Sequence, residues 1–182
     1  MRKLIVKQFM TLDGIMESPE IWAANYIKDQ EITEDLFNDL STCDSFLFGR
    51  NTFEFMGERW PNRTGAMADR FNNYIKFVVS GSLKKTDWKN SIIISENISD
   101  EIKKLKQKPG KDILILGSYK LSQLLDKEQL VDEYKLYIYP LTLGKGKRLF
   151  EEGSTGQNFK LLSSRTFTSG AIAMVYQPGI SA

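Results

Sequence analysis

Asp112-Ile113-Leu114-Ile115-Leu116-Gly117-Ser118 decides how this chain folds. Four successive branched apolar residues, bounded by an acid and a glycine, describe a short strand buried on both faces, the kind found inside parallel sheets. Gly117-Ser118 ends that strand, and Leu121, Leu124 and Leu125 continue at helical spacing. The same design occurs earlier, where Ser45-Phe46-Leu47-Phe48 stops at Gly49 and a short helix over Asn51–Met56 follows. Working outward, Leu4–Met10, Lys76–Val79 and Ile92–Ile94 read as strands. Glu31–Leu40, with Ile32, Leu36, Phe37 and Leu40 on one face, and Ala66–Tyr74 read as helices. A further helix opens at Ser99-Asp100-Glu101, acids toward its positive end, and closes before Pro109-Gly110. Strands separated by helices imply crossovers and a mainly parallel sheet. Beyond residue 130 the pattern changes. Glu133–Tyr139, Phe159–Phe167 and Ala171–Gln177 are strands with no helix to separate them, so antiparallel pairing is expected there. The predicted class is α/β, one domain over residues 1–182, with a mixed sheet.

Composition narrows the chemistry. Hydrophobic residues are 41% and charged residues 26%, an ordinary globular balance. Twenty-five basic against 23 acidic side chains leave a formal charge of +2, which argues for neither nucleic acid nor a membrane surface as partner. The apolar run after Met1-Arg2-Lys3 is broken at Lys7, too short for a signal segment, and no run approaches a membrane span. Cys43 is the single cysteine, so internal disulfides and cysteine metal clusters are excluded and a cytoplasmic location is expected. The chain has no histidine. Ser-His-Asp and Cys-His catalysis are thereby removed, together with most zinc hydrolases. What remains is carboxylates, hydroxyls, Lys, Arg, or a bound cofactor.

The two glycine-led junctions suit an anionic ligand. A strand that ends at glycine allows close approach of backbone, and the first amides of the following helix lack intrahelical partners. Arg50 adds a guanidinium with geometry for phosphate, and Thr52 a hydroxyl. Ordinary strand-to-helix turns with Arg50 in solvent would read the same way. The G-x-G-x-x-G fingerprint is absent, which disfavours a standard Rossmann site. Ser80-Gly81-Ser82-Leu83-Lys84-Lys85 follows another strand; hydroxyls and lysines there fit a 2′-phosphate, hence NADPH, or simply a polar turn.

These motifs carry a resemblance. Gly49-Arg50-Asn51-Thr52-Phe53-Glu54 resembles the G-R-x-T-aromatic-E segment of dihydrofolate reductases. Thr11-Leu12-Asp13-Gly14 resembles the S/T-L-D-G segment in the reductase domain of the bifunctional riboflavin-pathway deaminase-reductases. Leu130-Val131-Asp132-Glu133, Pro140, Leu143-Gly144-Lys145-Gly146 and Leu149-Phe150 are similar to the tail of that group. The resemblance spans nearly the whole chain in order. It implies a dihydrofolate reductase-like three-layer fold with antiparallel C-terminal strands, NADPH as cofactor, a homodimer, and hydride transfer to a small heterocycle. That substrate is either a pyrimidine such as 5-amino-6-(5-phosphoribosylamino)uracil or a pteridine like dihydrofolate. Residue by residue, it places Gly49, Arg50, Asn51 and Thr52 at the pyrophosphate, with Gly117, Ser118 and Tyr119 as the opposing helix start. Ser80 and Ser82 fall near the adenosine phosphate, and Thr11, Asp13 and Gly14 beside nicotinamide and substrate. This chain departs from the pattern in having Gly117-Ser118 for Gly-Gly, no deaminase half, and in the Pro19–Tyr26 region no clear match for the substrate-binding acid of folate reductases.

Asp13 is the candidate proton donor, with Glu17 second, although Asp13-Gly14 also suits a tight turn. Trp22 and Tyr26 could stack on a flat substrate or fill the core. Glu31, Glu34, Asp35 and Asp39 read as a solvated helix face. Tyr134–Tyr139, apolar or aromatic on both faces, suits either burial within one chain or a dimer contact. A non-catalytic nucleotide- or ligand-binding protein on the same fold is the alternative function.

Overall fold

The computed structural model of the chain describes residues 1–150 and 156–179. Eight strands form one sheet: β1 (Leu4–Thr11), β2 (Cys43–Gly49), β3 (Ile75–Val79), β4 (Ser91–Ile94), β5 (Asp112–Leu116), β6 (Glu133–Tyr139), β7 (Phe159–Thr166) and β8 (Ile172–Pro178). Their order is β4-β3-β2-β5-β1-β6-β8-β7. All pairs from β4 to β6 are parallel, and β6–β8 and β8–β7 are antiparallel. The helices are α1 (Pro19–Trp22), α2 (Ala24–Ile27), α3 (Gln30–Ser41), α4 (Arg50–Gly57), α5 (Ala66–Asn73), α6 (Ile98–Gln107) and α7 (Tyr119–Lys127). The α6 start differs from the sequence expectation. Asn97, in the left-handed region, precedes the helix and Ser99 already lies inside it.

Helices cover both faces of the parallel part, giving three layers. On one face Leu4, Val6, Ile113 and Ile115 pack against Ile102 and Leu105 of α6 and Leu121 and Leu125 of α7. On the other, Ile5, Phe46, Phe48 and Leu114 meet Leu40, Phe53 and Phe71 of α3, α4 and α5. A third cluster on that second face joins Phe9, Tyr137 and Tyr139 to Trp22, Ala23, Tyr26 and Ile32. Strand alternation puts Lys7 between Ile5 and Phe9, hence between the two clusters.

The packing decides one open sequence reading and corrects another. β6 is an interior strand, flanked by β1 and β8, and Tyr134, Tyr137 and Tyr139 are sealed within the chain. Its apolar character therefore serves the fold, and it offers no surface to a second copy. The acids of α3 are not a solvated face. Asp39 accepts hydrogen bonds from Lys7 Nζ at 2.8 Å, Lys135 Nζ at 2.5 Å and Tyr137 Oη at 3.0 Å. Asp35 takes the Tyr137 hydroxyl at 2.5 Å and Arg165 at 2.8 Å, and Glu31 accepts from the Thr168 amide. Glu34 alone of the four stays exposed. Burial pushes the Asp39 carboxyl up, but the charges and bonds of its two lysines outweigh burial and leave it below its ordinary range.

Candidate functional site

The site follows from unequal strand lengths. The last β1–β5 pair is Lys7 with Leu116, whereas β1 continues beside β6 to Thr11 opposite Tyr139. β5 turns away at Gly117, so the upper part of β1 is bordered on that side by loops and helix starts. Phe9 and Leu116 are only half-buried there, in mid-sheet, where Lys7 and Leu114 beside them are sealed. A crevice at the carboxyl ends of strands is where open α/β sheets bind ligands.

The two glycine-led junctions stand side by side at the ends of the neighbouring strands β2 and β5 and are tied to each other. The Gly49 amide donates to Ser118 Oγ at 2.9 Å, and the Ser118 amide donates to Thr52 Oγ1 at 3.1 Å. Gln8, on buried β1, donates to the Gly117 carbonyl and fixes the second junction to the sheet. Gly117 has φ +60, and a Cβ there would stand 3.3 Å from the Thr52 side chain; conformation and contact both demand glycine. Gly49 is different. Its φ is −78, and what faces it is Ser118, 3.6 Å from the position a Cβ would take. The close approach at Gly49 is thus to the other junction.

The tie uses up two amides and leaves the next ones outward. In α7 the first intrahelical bond beyond the turn runs from Ser122 to the Ser118 carbonyl, so the Tyr119 and Lys120 amides precede it. In α4 the Arg50 and Asn51 amides stand in the same position, and both side chains are exposed. Arg50 donates to Ser82 Oγ at 3.1 Å and lies 3.9 Å from Glu54. That bond brings the β3 turn to the α4 start. Ser80 is buried, its hydroxyl accepting from the Leu83 amide at 2.9 Å, so it shapes the turn; Ser82, Lys84 and Lys85 are exposed.

At the other end, Thr11 Oγ1 and the amides of Leu143 and Gly144 all donate to the Asp13 carboxylate. Gly14 lies in the left-handed region that closes the turn. The Thr11 bond, then the two loop amides, hold the Asp13 carboxyl below its usual range. The ionised form of Asp13 is thereby favoured. Glu17 is likewise lowered, by the hydrogen bond from Lys147. Trp22 donates through Nε1 to the Glu17 carbonyl at 2.7 Å, and its ring meets Tyr139 edge-on at 5.6 Å. Tyr26 packs on the same tyrosine at 5.0 Å. The structure therefore brings together every candidate residue along the carboxyl edge of the sheet. Sequence reading gave no site role to Gln8, Lys7, Asp39, Tyr137 or Tyr139; the available signal was a lysine and a glutamine inside an otherwise apolar strand.

Comparison with known proteins follows the same lines. The family model for the RibD C-terminal domain matches residues 2–173. The uncharacterised protein YyaP of Bacillus subtilis (strain 168) is 33% identical over 181 residues, covering 96% of this chain and 94% of that protein. Among solved structures, a pyrimidine reductase-like protein from Corynebacterium diphtheriae superposes with a TM-score of 0.75 at 14% identity, over 98% of this chain and 92% of that one. Dihydrofolate reductase from Enterococcus faecalis, complexed with NADP(H), gives 0.66 at 15% identity, over 98% and 97%. The expected dihydrofolate reductase-like fold is the fold observed. Among the described residues no helix is long and apolar enough to cross a membrane.

Proposed function

This chain belongs to the RibD C-terminal domain family, and from that membership we propose that it is an NADPH-dependent reductase. It passes a hydride to a small heterocycle, a pyrimidine such as 5-amino-6-(5-phosphoribosylamino)uracil or a pteridine related to dihydrofolate. The observation that carries this reading is the paired junction. Two helix starts are locked together by Ser118 and Thr52, with Arg50 spanning from one of them to Ser82.

The residues present fit a dinucleotide phosphate. The outward amides of Arg50 and Asn51 on α4 and of Tyr119 and Lys120 on α7 would hold the pyrophosphate, with helix dipoles and the Arg50 charge in support. Ser82, Lys84 and Lys85 would take the 2′-phosphate, which NADH lacks. When bound, the nicotinamide supplies the hydride. The chain supplies position: Thr11, Asp13 and Gly14 set the wall beside the crevice, and Asp13 is a positioning residue there, joining the turn after β1 to the loop after β6. Phe9 and Leu116 form an apolar floor that excludes water from the reacting carbon.

Titration of the protein with NADPH, followed by tryptophan fluorescence, tests this. Saturable quenching is expected, with Arg50→Ala weakening it about 10- to 100-fold, the scale of a charge-assisted phosphate contact. No saturable quenching up to millimolar NADPH removes the reductase reading. Binding without oxidation by any pyrimidine or pterin supports a non-catalytic binding protein instead. We assign the expected homodimer to the far end of the sheet, where Leu161 is 49%, Leu162 44% and Ile172 36% exposed. Sedimentation should show a dimer that Leu161→Glu converts to monomer.

A further inference from the structure

Resting on the reading of the crevice as a substrate site, we propose that the Tyr139 hydroxyl is a specificity-determining contact that donates a hydrogen bond to a ring carbonyl of the heterocyclic substrate, inside an aromatic box built with Phe9, Trp22 and Tyr26. Tyr139 is fully buried, yet its hydroxyl has no hydrogen-bond partner. A tyrosine hydroxyl enclosed in protein nearly always finds one, because leaving it without a partner forfeits its hydration. Among the described residues two other buried hydroxyls share this state, those of Ser122 and Ser169. Of these three, Tyr139 stands at the end of the strand paired with β1, whose Phe9 floors the crevice, directly opposite Thr11.

Its surroundings are those of a small-molecule subsite. Rings of Phe9, Trp22 and Tyr26 lie 5.8, 5.6 and 5.0 Å from the Tyr139 ring, and all three are half-buried. Phe9 belongs to the crevice floor as well, so box and crevice share a wall. Sites for flat organic ligands are mostly apolar, with a few placed polar groups that fix orientation. Here the placed group is a donor. Burial, and then the nearby Asp29 charge, push the Tyr139 phenol well above its ordinary value, so it keeps its proton. A buried donor in an aromatic box suits a flat ring that carries an acceptor, as the lactam carbonyl of an oxopyrimidine or a pterin does.

The covering can yield. Trp22 and Tyr26 sit on α1 and α2, each of four residues, and Ile21, next to Trp22 on α1, is 74% exposed. Helices of one turn have little stability of their own. An incoming ring of similar size can replace one of these side chains against Tyr139 and recover the same edge contacts.

Tyr139→Phe keeps the ring and removes only the hydroxyl. Binding of 5,6-diaminouracil and of pterin to the full chain is measured by calorimetry, alongside NADPH binding and Tm. The wild type should bind at least one of the two saturably. Tyr139→Phe should bind it about tenfold more weakly, with unchanged NADPH affinity and a Tm equal or higher. Equal affinity of wild type and variant for the oxo-rings overturns the proposal, as does no saturable binding to the wild type up to millimolar. Failure of NADPH to bind while the oxo-ring still responds to Tyr139→Phe strikes the reductase reading alone.

Discussion

Asp39→Asn isolates the charged cluster beneath the crevice floor. Asp39 is the single carboxylate shared by Lys7 and Lys135, and it also accepts from Tyr137. The Lys7 side chain is 2% exposed, so its ammonium has no recourse to water. Breaking a buried ion pair by removing one partner costs about 3–5 kcal/mol. The side chains of Asp39 and Lys135 keep 16% and 17% of their exposure, which favours the lower end, about 3 kcal/mol. In a chain of this size each kcal/mol moves Tm by about 2–4 °C, so Asp39→Asn should lower Tm by roughly 6–12 °C. Lys7→Met should cost less, because Asp39 retains Lys135 and Tyr137. The sign with pH follows from the depressed Asp39 carboxyl. Its contribution is complete above the unfolded value of 3.8 and is lost as pH falls through the lower folded value. Thermal melts of wild type and Asp39→Asn should therefore stay apart from neutrality down to about pH 4 and converge only below it. A Tm change under 2 °C at pH 7, or a larger loss from Lys7→Met, would refute the shared-carboxylate account.

Gly117→Ala introduces a Cβ at φ +60 and 3.3 Å from Thr52. It should destabilise the fold by about 1–2 kcal/mol by denaturant titration, and weaken NADPH binding by shifting Ser118. Lys76 is buried and donates to the carbonyls of Phe71, Asn72 and Tyr74, closing the end of α5 without a carboxylate. Burial pushes its pKa down to about 8. Between there and the unfolded value of 10.5 the unfolded chain holds the extra proton, so wild-type stability should rise relative to Lys76→Met as pH climbs through that window. Urea midpoints at pH 7 and 10 read the difference, and a fall would sink the argument.

The candidate site was legible in part. Arg50, Asn51 and Ser82 declared themselves by residue type next to a strand end, and the structure brings them to one edge. Gly49, Thr52 and Ser118 were legible as positions, while their immediate partners were not. They bond to one another across a sequence separation of 66 to 69 residues. Asp13 was legible as a turn, but besides neighbouring Thr11 its carboxylate is held by amides at 143 and 144, on a distant loop. Asp35 and Asp39 have the look of solvent-facing helix acids because nothing local marks the lysines and tyrosine that approach them.

Sequence alone determined the alternation of strand and helix, the parallel core around Asp112–Leu116, and the antiparallel end. These depend on periodic burial and on backbone conformation, which neighbouring residues impose on one another. Tertiary structure alone decided that β6 is interior, that Asp39 lies 96 residues from Lys135 in sequence and 2.5 Å away in space, and that Tyr139 is left with its hydroxyl unpaired. A polar group's partner is fixed by which distant segments the sheet order brings together, and no local pattern encodes that approach.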